Sequence, residues 1–293
     1  MAHMLRFLAL MGALAASGTA MAIETSTGAP QSLEICVLPY INMQGLLIAY
    51  GPLATYLEKE LNRPVKIVSA RDYPTLLQQT AQRAYPILIT ASHFARLAQV
   101  DSGYTPILRP ITNFHELILV RKESPIQSFA DLKSKSISIP DILAQVRMIF
   151  AVSLRAIGMD PLHDVIFISS GSHKNAAYAT HNRDTDAALV SEGAYRHMSD
   201  DIKSDLRVIS PPHTLSNRES IPVVYLTSPT LSPQTAQHIA TRIESFANHV
   251  PEGIAWINSL KYGGLRPPTQ DEMTAMDEQV NELRRVVNSV AQR

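Results

Sequence analysis

The stretch from Phe114 to Ala144, FHELILVRKESPIQSFADLKSKSISIPDILA, limits the fold more than any other part of the chain. His115 to Arg121 is a short, almost continuous apolar run, the pattern of a strand covered on both faces. Ser124-Pro125 ends it, because a residue before proline is pushed out of the helical region. Ser128 then stands where a helix over Phe129–Ser134 needs its N-cap, with Asp131 three residues on as the reciprocal partner of a capping box. Ser136–Ile139 reads as a second strand, and Pro140-Asp141 opens the next helix.

The same alternation recurs on both sides. Leu33–Leu38 (LEICVL) reads as a core strand, and Gly51–Asn62 as an amphipathic helix with Leu53, Tyr56, Leu57 and Leu61 on one face. Pro64 stops that helix before a strand over Val65–Val68; a helix from Tyr73-Pro74 to Gln82 and a strand over Ile87–Thr90 follow. Strands alternating with helices predict βαβ units and mostly parallel sheets. A chain of 293 residues exceeds one ordinary core, so two α/β lobes are expected. The first crossing is placed near Arg121 and the return at Pro222–Leu226, giving lobe 1 as 23–120 with 222–293 and lobe 2 as 121–221. Two crossings make a hinged clamp, and ligands in such sheets sit at strand C-terminal ends. Helices over Pro233–Asn248, Pro251–Leu260 and Gln270–Ala291 close the chain. In the last, Met273, Met276, Val280, Leu283, Val287 and Val290 form a heptad-like stripe. That stripe fits docking on the parent lobe, with a dimer through the C-terminal helix as the alternative.

Met1–Ala22 has the layout of a cleaved leader: Arg6, an apolar run over Phe7–Ala16, and Ala20-Met21-Ala22 as an A-x-A site. The run is too short to anchor in a bilayer. Export to the periplasm as a soluble product beginning at Ile23 is expected. Lys+Arg and Asp+Glu both number 26, so no bulk field attracts nucleic acid or an anionic membrane. Cys36, the only cysteine, precludes an intrachain disulfide; it reads as a buried free thiol, a soft-metal ligand being the sharper alternative.

Motifs for catalysis are missing. No G-x-S-x-G elbow, Walker glycine loop or H-E-x-x-H zinc helix occurs, so neither an enzyme nor a cofactor or metal is implied. Asp184, Asp186, Asp200 and Asp201 read as solvated turn carboxylates.

VRKESPI followed by SFADLKSKSISI resembles the crossover into the second lobe of periplasmic solute-binding proteins, most of all their phosphate/phosphite/phosphonate-binding subgroup. Tyr50–Tyr73, Ser170–Tyr195 and Ile221–Ser232 are similar to further stretches of that subgroup in the same order. The resemblance implies a type II two-lobed binding fold that hands a small molecule to an inner-membrane transporter. It also implies oxyanion recognition by a Ser-Thr-Ser-Gly turn at a helix N-terminus. Aligned without gaps from a helix over Arg147–Ile157, that turn falls on Asp141-Ile142-Leu143-Ala144, where three hydroxyls are lost and a carboxylate is gained. Two like charges about 4 Å apart repel by ~4 kcal/mol at an effective dielectric near 20. The cleft is therefore expected to favour a largely apolar, sterol- or lipid-like ligand, with a phosphonate-type oxyanion importer and a sensor docking on a membrane kinase as alternatives. Asp141 could instead cap the helix. The resemblance places further ligand positions at Tyr40, Thr90, Ser92, His93, His173, Glu192 and Tyr225, with Tyr50 beside Tyr40 as an aromatic wall.

Overall fold

The computed structural model describes residues 32–209 and 220–291. The expected leader over Met1–Ala22 lies outside these residues. The chain starts with β1 (Leu33–Val37), α1 (Met43–Leu61), β2 (Val65–Val68), α2 (Tyr73–Ala81), β3 (Ile87–Ala91), α3 (Ser92–Ser102) and β4 (Thr105–Pro110). Next come β5 (Glu116–Arg121), β6 (Ser136–Ile139), α4 (Gln145–Ala156), β7 (Ile166–Ser169), α5 (His173–His181), β8 (Ala187–Ser191), α6 (Glu192–Arg196), α7 (Asp200–Asp205) and β9 (Leu206–Ile209). It ends with β10 (Val223–Thr227), α8 (Pro233–His249), α9 (Pro251–Ser259), β11 (Leu265–Arg266), α10 (Gln270–Thr274) and α11 (Asp277–Ala291).

Two sheets result, one of six strands in the order β11-β4-β10-β3-β1-β2 and one of five in the order β7-β6-β8-β5-β9. Each contains a parallel trio, β2-β1-β3 and β7-β6-β8, as βαβ units require. The strands entered just after each crossing, β5 and β10, run antiparallel to their neighbours, so both sheets are mixed. The two crossings lie side by side, with the Phe114 N–H donating to the Ser220 carbonyl at 2.7 Å. The β5 strand pairs only within the second sheet, so the first crossing occupies residues 111–115, upstream of the expected Arg121.

Local departures from expectation have local causes. Helix α1 begins at Met43, not Gly51, because the Asn42 side chain accepts the Gly45 N–H at 2.9 Å and caps it. Pro52 sits inside that helix. Its N-terminal half exposes Met43, Leu47 and Ile48, while Leu46, Tyr50, Leu53 and Leu57 enter the core. The helix expected over Phe129–Ser134 shrinks to one 3₁₀ turn, Ala130–Leu132. There Asp131 accepts from the Gln127 and Ser128 amides and the Ser128 hydroxyl, so Ser128 donates where it was expected to cap. Pro140-Asp141 does not open α4, which starts at Gln145 behind Ala144.

The C-terminal helix is broken. A capping box of Thr269 and Glu272 starts α10, and α11 restarts at Asp277. Met273, Met276, Val280 and Leu283 are buried as the stripe predicts, but Val286 takes the next place and Val287 is 42% exposed. The straight-helix register is lost at the break. α11 packs on α3 and on α4, so the stripe is covered within the chain and leaves no seam for a dimer. No described helix is long and apolar enough to cross a membrane.

Candidate functional site

The C-terminal ends of β3 and β6 feed α3 and α4, whose N-termini meet across the gap between the sheets. His93, the second residue of α3, is fully buried, and its Nε2–H donates to the Leu143 carbonyl at 3.0 Å. A carbonyl only accepts, so the proton sits on Nε2 and Nδ1 is a bare acceptor without a hydrogen-bond partner. Burial pushes the imidazole down to about 4, opposed by the bond to Leu143, and the ring is neutral at pH 7. Gln145, the first residue of α4, donates through Nε2 to the Ser92 hydroxyl at 2.9 Å and to the Ile221 carbonyl at 2.7 Å. One buried amide thus joins α3, α4 and the return crossing. The first amides of both helices lack intrahelical acceptors, and the helix dipoles give these ends positive character.

Asp141 lies in the turn before α4. Its Oδ1 accepts the Leu143 N–H at 2.7 Å, closing an Asx turn; it is not the helix N-cap, which is Ala144. Its charge faces α2: burial first, then Asp141, pushes the Tyr73 phenol up to about 12. Ile142 packs against the hydrophobic clusters of both sheets, and Leu143 is 5% exposed within the core of the first. These two side chains hold the sheets together and offer little surface to a ligand. The apolar cleft expected from them is therefore corrected: residue type was legible in the sequence, but packing had taken both side chains.

The other candidate positions are dispersed. His173 begins α5 behind the Ser172 cap; its Nδ1 accepts the Ser191 N–H at 3.2 Å, leaving the Nε2–H to point elsewhere. Burial pushes this imidazole down to about 4 as well. Glu192 opens α6, pairs with Arg196 at 2.5 Å and gives its N–H to the His115 carbonyl. Thr90 and Tyr225 do not share a surface. In the β3–β10 register Thr90 faces Val224 and Tyr225 faces Ile89, so alternation sends them to opposite sides of the sheet. Thr90 lines a void of about 70 Å³ with Leu76, Leu88 and Phe94. Tyr225 joins Tyr40, Tyr50 and Tyr262, and burial pushes the Tyr50 and Tyr225 phenols well above their usual range. Tyr40 is the exposed member, at 46%, and hydrogen-bonds with Tyr50. Free Cys36 is fully buried and its thiol is pushed up to about 12 by that burial.

Residues 35–273 match the family described as ABC transporter, phosphonate, periplasmic substrate-binding protein. The chain belongs to this phosphonate-binding family. Its members are the periplasmic, substrate-capturing components of ABC transporters, which accounts for the missing catalytic motifs. Solved structures share the fold at low identity. PhnD1 from Prochlorococcus marinus, in complex with methylphosphonate, superposes with a TM-score of 0.72 at 13% identity, covering 87% of this chain and 99% of that one. XAC2383 from Xanthomonas citri, solved bound to chloride ion and to ATP, gives 0.72 at 18% identity over 88% and 99%. The periplasmic aliphatic sulphonate binding protein SsuA from Escherichia coli gives 0.55 at 17% identity over 90% and 84%. In this fold the facing N-termini of α3 and α4 lie beyond the C-terminal ends of β3 and β6.

Sequence reading passed over Gln145, whose type carries no signal of its own, and a charged cluster farther along α4. Arg155 pairs with Glu282 of α11, which also binds Arg285; Glu282 is 1% exposed. Arg147 is fully buried, with its guanidinium 4.9 Å from the centre of the Phe167 ring. Burial pushes it down to about 10, countered by the Glu282 charge. The same α11 reaches α3 through Arg96–Asp277 at 2.7 Å and Arg284–Asp101 at 2.6 Å. It straps the two layers together.

Proposed function

We propose that this protein is the periplasmic receptor of an ABC importer for a small phosphonate- or sulfonate-type oxyanion, held between the facing N-termini of α3 and α4. The observation that carries the reading is the Gln145–Ser92 hydrogen bond of 2.9 Å, which brings both positive helix ends and the Ser92 hydroxyl to one place. The anion-binding relatives support it, and the burial of Leu143 and the packing of half-buried Ile142 against both clusters remove the ground for a sterol-like ligand. The cleft presents helix N-terminal amides and the Ser92 hydroxyl in place of a Ser-Thr-Ser-Gly turn. Asp141, tied to Leu143 and turned to Tyr73, excludes anions from its own side and favours those entering from Ser92. We further propose export with a mature N-terminus at Ile23, and closure by hinge motion of the lobe built on the first sheet against the lobe built on the second (116–209), pivoting at the paired crossings.

Calorimetric titration with methylphosphonate and ethanesulfonate at low and high salt tests the ligand class. Saturable binding that weakens with salt, and weakens further in Gln145→Ala, is expected. Salt-independent binding of a sterol, with no response to either anion, would sink the proposal.

A further inference from the structure

The two sheets leave four strand edges, β11 and β2 on the first and β7 and β9 on the second. An open edge presents unpaired N–H and C=O groups, and proteins guard it with charge, brevity or a covering loop. β2 carries the exposed Lys66, and β11 is two residues long. On β9 the Arg207 guanidinium donates to the Ser124 carbonyl at 3.0 Å and to that of Ile126, which brings the 124–126 turn alongside. β7 has no such guard. Val165 to Ser170 contains no charge, proline or glycine, and β7 runs in unbroken parallel register with β6, its only neighbour among the described strands.

The bonded side of β7 defines its free side. The Ile166 N–H donates to the Lys135 carbonyl at 2.9 Å and the Ser170 N–H to the Ile139 carbonyl at 2.8 Å. Backbone groups alternate in direction along a strand, so the N–H and C=O of Phe167 and Ser169 point away from β6. Phe167 packs toward Phe150 of α4, and alternation turns Ile166 and Ile168 to the other face, where they are 57% and 41% exposed. The edge thus offers outward backbone groups flanked by bare isoleucines.

We propose that β7 is a self-association edge, which pairs antiparallel with β7 of a second copy about a two-fold axis through Phe167. The strand is complementary to itself in that register. Phe167 meets its own copy as a hydrogen-bonded pair through the outward N–H and C=O groups, and Val165 meets Ser169 in the same way. Ile166 lies opposite Ile168 twice, in the closer non-hydrogen-bonded pairs, and joins apolar to apolar on the exposed face. Asp164 falls opposite Ser170, so no like charges meet along the strand. Two-fold pairing of one edge closes on itself, which commits the partner to a single further copy. β5, which follows the first crossing, lies three strands from β7, about 14 Å at ordinary strand spacing, so both clamps stay free to move.

Sedimentation velocity of the intact protein from about 10 μM to 1 mM is the test, over the range in which an interface this small associates. A reversible monomer–dimer equilibrium is expected. Ser169→Pro removes one outward N–H per copy without taking a hydrogen bond from β6, and is expected to weaken the dimer by roughly tenfold. Ile168→Lys gives β7 the kind of charge that guards β2, and is expected to weaken it at least as much while the thermal midpoint of the monomer stays unchanged. Cysteine variants read the register. An equimolar mixture of Ile166→Cys and Ile168→Cys chains is expected to form disulfide-linked dimers several-fold faster than either variant alone, since 166 faces 168 across the axis. Buried Cys36 stays out of that exchange. A monomer at every concentration would leave the edge to a strand of some other protein and overturn the assignment. A dimer indifferent to both substitutions, or equal cross-linking by the mixture and each single variant, would overturn it as well.

Discussion

Helix α4 is held at its two ends by opposite kinds of chemistry. At its N-terminal end every contact to the first sheet's layer is neutral: His93 to Leu143, and Gln145 to Ser92 and Ile221. Toward its C-terminal end the contact is ionic, with Arg155 paired to a buried Glu282 of α11. Neutral hydrogen bonds are each worth about 0.5–1.5 kcal/mol net, and water or a ligand can replace them. A buried carboxylate has no such substitute once its partner leaves. The cleft end of α4 is thus built to open and the strap end to stay shut, which describes a clamp hinged beside α11.

The sharpest test of this contrast is Glu282→Ala. Breaking a buried ion pair from one side costs about 3–5 kcal/mol, and here it takes the partner from Arg155 and the opposing charge that favours the buried Arg147 guanidinium. Urea denaturation should show a loss toward the lower end of that range, since Arg155 is 32% exposed. A loss below 1 kcal/mol would mean that the strap bears no load.

Acid should attack the other end. His93 titrates near 4 in the folded chain and near 6.5 when unfolded, so the unfolded chain takes up the extra proton between those values. Stability held by the neutral ring is complete above about pH 6.5 and is lost as pH falls toward 4, on the order of 3 kcal/mol in full. Glu116 works against this. Burial pushes its carboxyl up to about 7, so acidification favours the folded state there. Comparison with His93→Gln, which can keep the donor to Leu143 but cannot titrate, cancels the Glu116 contribution. Stability measured from pH 7 to 4.5 should fall more steeply in the parent than in the variant; parallel curves would remove His93 from the account.

Gln145→Ala is expected to cost about 1–3 kcal/mol, because the Ile221 carbonyl loses its donor. Its signature is shape: small-angle scattering of the ligand-free protein should show a larger radius of gyration, while Glu282→Gln leaves the cleft contact in place. Smallest of all, Arg284→Ala should change stability by about 0.5 kcal/mol or less, since its pairing with Asp101 is an exposed ion pair. A large effect there would shift the strap's grip from α4 to α3.

Much of the frame was legible where chemistry is local. The strands Val65–Val68 and Ser136–Ile139 fall at their expected bounds, and Pro233 and Pro251 mark helix starts as prolines at first helical positions do. The first helix was expected to begin at Gly51, yet α1 starts eight residues earlier, at Met43, because Asn42 supplies a cap farther back. The cleft was harder to read. Composition of the 141–144 turn pointed to an apolar ligand, but whether Leu143 touches a ligand or a neighbouring helix depends on a partner 50 residues away, His93. Thr90 and Tyr225 were each expected at the ligand, and the β3–β10 register puts them on opposite faces of the sheet. Glu282 is one acid among 26 in the sequence, and only the folded chain reveals that it is buried.

The placement of β10 between β3 and β4 has a consequence for how the chain is made. Strands β5 to β9 emerge from the ribosome as one uninterrupted block, and every partner each needs lies inside residues 116–209. The first sheet starts earlier but must wait for Val223–Thr227 to fill the gap at its centre, and for α11 to cover α3 and α4. Non-local pairing of this kind is slow, and an unfilled sheet exposes two strand edges meanwhile. The second sheet should therefore be the folded template on which the older half of the chain is completed, and any pause in synthesis before residue 223 should leave β3 and β4 as the segments most in need of a chaperone.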